Sequence, residues 1–168
     1  EFKASLLSVK GLLNNGIEHP KIEELRALIE SEFEEDEKSK IIVFSQFRET
    51  ASTIAKKLNE NSKIKASVFI GQAKKKQGGV STGLSQKEQR RVIEDFKSGV
   101  VNVLCSTSIG EEGLDIPEVK AVYFYEPIPS EIRKIQRAGR TARLMPGKLA
   151  ILITKNTRDE AHHYASIA

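Results

Sequence analysis

The chain has 168 residues, a net charge of +4, 39% hydrophobic residues and 30% charged residues, a composition typical of one water-soluble globular domain. No apolar run approaches the roughly 18 residues of a membrane-spanning helix, and no signal-peptide pattern is visible. One cysteine and three histidines argue against a disulfide framework and against a zinc site. We therefore expect an intracellular protein without a metal site of its own.

Strand and helix patterns alternate along most of the chain. The first part is helical, because Pro20 can open a helix whose apolar residues share one face. Later apolar runs are nearly continuous, as in strands buried on both faces, and they cover residues 41–44, 66–70, 101–105, 121–125 and 149–154. Further helices are expected at 51–58, between a capping box at Ser85 and Gly99, at 131–143 and at 158–167.

This alternation predicts an α/β fold with an open, mostly parallel sheet flanked by helices. Residues 1–37 are expected to form an N-terminal linker or packing helix, and residues 38–168 the sheet domain. Residues 73–83 are polar, Gly-rich and carry three lysines, so we expect a loop there. Ligands of such sheets gather beyond the carboxyl ends of the strands, which directs attention to residues 45–50, 71–77, 106–117 and 126–143.

The arginine-rich residues 136–143 follow one of these strands. On a helix that advances about 100° per residue, Gln136, Arg140 and Arg143 fall within roughly 60° of each other. Guanidinium groups offer a rigid fork of donors to phosphate oxygens, and two together suit the charge on a transferred phosphoryl group. Gly139 has no side chain that would obstruct the close approach of a ligand to this segment. A solvent-exposed basic helix is the alternative, but the position beyond a strand and a Pro-containing loop favours function.

The loop at residues 106–117 carries small hydroxyl residues and glycines. Such residues can bring backbone N–H groups and hydroxyls up to a phosphate, and Asp115 suits a ribose hydroxyl. A tight turn with Asp115 capping the local backbone explains the same residues. The loop therefore indicates a nucleotide site only together with the arginine-rich segment.

Three segments in this order resemble motifs of superfamily 2 helicases. Residues 41–50 look like motif IV, residues 103–117 like motif V and residues 136–143 like motif VI of the second RecA-like domain. Gly71-Gln72 and the residues around Tyr125-Glu126 are similar to the archaeal Hef helicases, relatives of the Fanconi anaemia M protein, which process branched DNA. Motif VI ends in Thr-Ala-Arg, where many relatives have Thr-Gly-Arg. The innate-immune RNA sensors and Dicer helicases share a looser version of the pattern.

The resemblance implies two sets of site residues. Arg140 and Arg143 would be catalytic and face the γ-phosphate of ATP, with Arg143 as the arginine finger. The residues that contact ATP would be Gln136, Gly113, Asp115, Arg140 and Arg143. The residues along the nucleic-acid strand would be Ser45, Gln46, Arg48, Gly71, Gln72, Ser106 and Thr107. Because aromatic residues make up only 6% of the chain, we expect a surface that tracks the nucleic-acid backbone rather than one that reads bases.

The sequence contains neither a Walker-type phosphate loop nor an acidic motif for Mg²⁺. We expect both on a first RecA-like domain, which would be the partner of this chain together with DNA. The chain alone should be a monomer that neither binds ATP with Mg²⁺ tightly nor hydrolyses it.

Three alternatives to a DNA helicase domain remain. The chain could be one half of a double-stranded RNA translocase, a non-motor α/β binding module, or a cysteine or histidine enzyme. The last has little support, because Cys105 ends an apolar run and is expected in the core. His19 is expected at a helix start, and His162 and His163 on a surface helix.

Overall fold

A parallel sheet forms the centre of the protein in a computed structural model that describes residues 19–71, 76–77, 80–81, 83–107, 116–138 and 147–167. Its strands are β1 (Ile41–Phe44), β2 (Ala66–Phe69), β5 (Val103–Ser106), β6 (Ala121–Phe124) and β7 (Lys148–Ile151). Their order is β2-β5-β1-β6-β7, and every neighbouring pair is parallel. A separate antiparallel pair consists of β3 (Lys76–Gln77) and β4 (Val80–Ser81).

Alternation along the strands explains why the sheet is covered on both faces. Successive side chains of a strand point to opposite faces, so Ile41 and Val43 belong to one apolar cluster while Ile42 and Phe44 belong to the other. On the second face the rings of Phe44 and Phe124 stack with their centroids 5.1 Å apart. Two faces of apolar residues require helices on both sides of the sheet.

Those helices are α1 (Pro20–Glu35), α2 (Arg48–Leu58), α3 (Gln86–Ser98), α4 (Pro129–Ala138) and α5 (Arg158–Ile167). The buried apolar residues of α1 and α2 share the cluster of Ile41, and those of α3 and α4 share the cluster of Phe44. The predicted open parallel sheet flanked by helices is thereby confirmed.

The ends of α3 follow the sequence signals closely. The hydroxyl of Ser85 accepts a hydrogen bond from the Glu88 amide, and the Glu88 carboxylate accepts one from the Ser85 amide at 2.7 Å. Gly99 ends the helix with a φ of +83°, a conformation that favours glycine. The predicted capping box and glycine stop are both confirmed.

Helix α1 runs antiparallel to β6, so its two ends lie near opposite ends of that strand. Lys21 lies beside Tyr125, which follows β6, whereas Glu35 pairs with Lys120, which precedes it. His19 is the N-cap residue, and its Nδ1 accepts the Lys21 amide at 3.2 Å, as the expected helix start requires. The helix packs against the sheet, and the separation of residues 1–37 from 38–168 as units stays a prediction.

The predicted boundaries differ from the observed ones for physical reasons. β5 begins two residues after the predicted start, because the backbone N–H of Val101 donates to the backbone carbonyl of Asp95 in the last turn of α3. β7 ends at Ile151 rather than at residue 154, whose amide bonds instead to the Asp159 carboxylate at 3.0 Å. The prediction of a loop throughout 73–83 is wrong where β3 and β4 pair. The sequence Gly78-Gly79 between them is typical of hairpin turns.

Candidate functional site at the carboxyl edge of the sheet

The candidate site lies where the parallel strands end. We call this region the carboxyl edge and define it by the described residues 45–48, 70–71, 107 and 125–128. The strand ladder continues one residue beyond the strands here, because Ser45 N–H donates to the Ser106 carbonyl at 3.0 Å and Tyr125 N–H to the Phe44 carbonyl at 2.8 Å. The loops after β1, β5 and β6 therefore leave the sheet side by side.

The loop after β1 is held by its own hydrogen bonds. The Ser45 hydroxyl donates to the Phe47 carbonyl at 3.0 Å, and the same carbonyl accepts the Ala51 amide in the first turn of α2. Ser45 is buried, whereas Gln46 and Phe47 are exposed. The chain thus turns sharply from a buried strand into α2 and presents two side chains to solvent.

Arg48 reaches from the start of α2 towards the end of β2. One of its terminal nitrogens lies 3.5 Å from the Gly71 carbonyl, at the long limit of a hydrogen bond. Gln89 on α3 donates to the neighbouring Ile70 carbonyl at 2.9 Å. Because β5 lies between β1 and β2, Arg48 spans the end of β5, where Thr107 leads into the predicted phosphate loop.

Glu126 connects the loop after β6 to the loop after β1. Its Oε1 accepts a hydrogen bond from the backbone N–H of Gln46 at 2.8 Å, while its Oε2 is buried and has no hydrogen-bond partner among the residues that the structure describes. Burial raises the pKa of this carboxyl above its ordinary value, with the Asp159 charge adding to the effect, while the Gln46 amide and the Lys21 charge oppose it. A carboxyl group in this state is harder to ionise than an exposed one.

Lys21 and Asp159 form a second long-range contact beside the carboxyl edge. The Lys21 ammonium donates to the Tyr125 carbonyl at 2.9 Å and forms an ion pair with Asp159. Both side chains are largely buried. The pair ties α1 and α5 to the end of β6, so it fixes the residues that lead towards α4.

The predicted nucleic-acid residues within the described part of the chain come together at this edge. Ser45 and Ser106 are buried, Gln46 is exposed, and Arg48, Gly71 and Thr107 are partly buried. Gln136 lies on α4. The remaining predicted residues, Gln72, Gly113, Asp115, Arg140 and Arg143, lie outside the described residues. A direct contact of any of these residues with ATP or DNA stays a prediction.

The sequence placed Glu126 within residues 126–143 at the ligand edge of the sheet but assigned it no role, and it gave no sign that Lys21 and Asp159 belong to this region. Lys21 and Asp159 are 138 residues apart, and no local pattern connects them.

The structure removes the support for a cysteine enzyme. Cys105 is fully buried in β5, and burial raises the pKa of its thiol to about 12, whereas a reactive cysteine needs a lowered value. His162 is exposed and His163 partly buried on α5. Within the described ranges no His, Cys, Asp and Glu side chains group closely enough to hold a metal ion, and none of the described helices has the length and apolar character needed to cross a bilayer.

Comparison with known proteins gives consistent matches. A family model for the helicase conserved C-terminal domain matches residues 20–145. A putative ATP-dependent RNA helicase of Methanocaldococcus jannaschii is 44% identical over 160 residues, which are 95% of this chain and 20% of that protein. The ATP-dependent DNA helicase mph1 of Neurospora crassa is 42% identical over 150 residues, which are 88% of this chain and 13% of that protein.

Among solved structures, the Hef helicase domain of Pyrococcus furiosus superposes with a TM-score of 0.80 and 44% identity, and the match covers 98% of this chain and 32% of that one. Of the full length of the Methanocaldococcus and Neurospora helicases, this chain spans a fifth or less.

Proposed function

Because this chain belongs to the helicase conserved C-terminal domain family, we propose that it is the C-terminal motor half of an ATP-dependent DNA helicase or translocase that acts on branched or forked DNA. Family membership and the Hef superposition confirm the RecA-like fold and the Hef-type resemblance that the sequence carries. The substrate and the roles of single residues are part of the proposal.

One observation carries the proposal. The segments that resemble motifs IV and V leave neighbouring strands at the carboxyl edge, and α4, which leaves the same edge after β6, contains the first residues of the segment that resembles motif VI. Segments far apart in sequence are thus connected to one small region, which supports a shared nucleotide and nucleic-acid site.

ATP with Mg²⁺ would be held jointly with a first RecA-like domain. In this chain Gln136, Gly113, Asp115, Arg140 and Arg143 are the proposed contacts, and their amide, carboxylate and guanidinium groups suit the phosphates and the ribose of a nucleotide. The nucleotide supplies the phosphoryl group whose developing charge Arg140 and Arg143 would neutralise. The phosphate loop and the Mg²⁺ ligands would come from the partner domain, since the sequence has neither.

DNA would pass along Ser45, Gln46, Arg48, Gly71, Gln72, Ser106 and Thr107. The buried Ser45 and Ser106 would act mainly through the backbone that they fix, while the exposed Gln46 and the partly buried Arg48 and Thr107 remain accessible. Closure of the two domains on ATP and reopening after hydrolysis would move the protein along the strand. We place this activity inside the cell and treat the chain as a monomer.

A double-stranded RNA translocase is the second candidate, and one observation favours it: the relative from Methanocaldococcus jannaschii is named a putative RNA helicase. The two candidates differ in which nucleic acid stimulates ATP turnover.

The test uses the full-length protein, with both RecA-like domains, and compares ATP turnover in the presence of forked DNA, linear single-stranded DNA and duplex RNA. We expect the strongest stimulation by forked DNA. Stronger stimulation by duplex RNA would establish the second candidate. If no nucleic acid stimulated turnover, the motor assignment would be wrong.

A further inference from the structure

Phe47 is an exposed aromatic residue at the carboxyl edge, with 58% of its surface accessible. Four large hydrophobic side chains are exposed among the residues that the structure describes: Phe47, Val100, Leu149 and Tyr164. Of these only Phe47 belongs to the carboxyl edge. The phenylalanine side chain has no polar atom, so at this edge it offers solvent a flat apolar face that the exposed Gln46 does not.

The backbone that carries the Phe47 ring is fixed on both sides. Its carbonyl accepts hydrogen bonds from the Ser45 hydroxyl and the Ala51 amide, each at 3.0 Å. The preceding Gln46 amide is held by Glu126 at 2.8 Å. Phe47 is also the N-cap residue of α2, and its side chain caps no amide. The ring is therefore presented by a rigid support, as an aromatic platform needs to be.

The residues next to Phe47 along the chain are polar. Gln46 precedes it and Arg48 follows it. Because Phe47 is the N-cap residue of α2, the positive end of the helix dipole lies close to it, although Glu49 adds a negative charge in the first turn. A protein surface that docked here would find one ring, far less than the about 800 Å² that each partner of a stable interface buries. One ring beside a guanidinium and a helix N-terminus is better suited to a ligand with a flat apolar face and an attached negative charge than to a protein surface.

We propose that Phe47 is a stacking platform for a nucleobase of the strand that crosses the carboxyl edge. This inference rests on the proposed function, and it adds a contact to bases where the sequence led us to expect contacts to the backbone alone. Because every base has a flat face, the contact tolerates any sequence. It also differs from phosphate contacts in depending little on salt, since phosphate contacts release counterions.

The experiment measures binding of the full-length protein to a fluorescent oligothymidylate and to an equally long strand of abasic units. We expect Phe47→Ala to weaken binding to oligothymidylate by about fivefold to 150-fold and to leave binding to the abasic strand unchanged. Phe47→Tyr should bind both strands like the wild type, because it keeps the ring. Tyr164→Ala removes a similarly exposed aromatic ring, 67% accessible, outside the carboxyl edge, and should change neither affinity.

Other outcomes separate this inference from the proposed function. If Phe47→Ala bound oligothymidylate as well as the wild type does, or lost affinity equally for both strands, the stacking contact would be refuted. An equal loss would mean that Phe47 packs against another part of the protein. If the wild type bound neither strand, the proposed function itself would fail, and the stacking contact with it.

Discussion

Glu32 and Glu126 are two carboxylates at opposite ends of the sheet, and their surroundings differ sharply. Glu32, on α1, accepts hydrogen bonds from the Tyr123 hydroxyl and the Lys148 ammonium, both at 2.8 Å, and lies 3.8 Å from the Lys120 ammonium. Glu126, at the carboxyl edge, has one hydrogen-bonded oxygen and one buried oxygen that finds no partner within the described part of the chain.

The pKa directions of the two groups follow from these contacts. Burial acts to raise the pKa of Glu32, but the hydrogen bonds from Lys148 and Tyr123 and the charges of the two lysines outweigh it, so that pKa lies below its ordinary value. For Glu126 burial prevails and the pKa is raised. Proteins commonly leave local rules unsatisfied at functional sites, so the state of Glu126 supports the proposed site at the carboxyl edge, whereas the satisfied Glu32 contacts are structural.

The largest stability effect is expected from Glu32→Ala. The substitution leaves the hydroxyl of the fully buried Tyr123 without its acceptor, and we expect the free energy of unfolding in urea to fall by about 1–3 kcal/mol. Glu34→Ala, an exposed position on the same helix, is the matched control and should change it by less than about 0.5 kcal/mol. Equal effects of the two substitutions would show that the Glu32 contacts do not hold α1 in place.

The ionisation of Glu32 should also make the stability of the protein depend on pH, and this effect is smaller than that of Glu32→Ala. A carboxyl group with a lowered folded pKa stabilises the protein above its unfolded pKa, and this contribution disappears as the pH falls through the folded pKa. The wild type should therefore be more stable than Glu32→Gln at neutral pH, and the two should converge on acidification. Melting temperatures across an acidic pH series measure the difference. A gap that stayed constant at all pH values would mean that ionisation of Glu32 does not contribute.

Glu126→Gln should act in the opposite direction and have the smallest effect. The raised folded pKa means that the carboxyl group favours the folded state below its unfolded pKa and loses this contribution as the pH rises through the folded pKa. At neutral pH glutamine removes the cost of burying a charge and keeps an oxygen for the Gln46 amide. We expect a slightly higher melting temperature than for the wild type at neutral pH, with no gain at acidic pH. A loss of stability at neutral pH would contradict the assigned environment of Glu126.

The sequence predicted the sheet well because both of its faces are buried. A strand such as β1 must then be apolar at every position, and its four residues stand out from the polar segments around them. The ends of α3 were equally readable, because Ser85, Glu88 and Gly99 act through bonds to near neighbours.

Contacts between distant residues could not be read in the same way. Glu126 and Gln46 are 80 residues apart, and Lys21 and Asp159 are 138 apart, so only the folded chain brings them together. Phe47 posed a different difficulty. It follows the apolar run of β1 by three residues and looks like part of the core, and only the turn made by Ser45 exposes it.

The central claim is that this chain supplies the arginines of an ATP site that another domain completes. It is tested most directly by the steady-state ATP turnover of the full-length protein, stimulated by DNA, with Arg143→Ala and Arg140→Ala. An arginine finger contributes about a thousandfold or more to the rate, so we predict a loss of that order for Arg143→Ala, with an unchanged melting temperature. Arg91→Ala, at a highly exposed position on α3, should turn over ATP like the wild type. Wild-type turnover in both Arg143→Ala and Arg140→Ala would contradict the account.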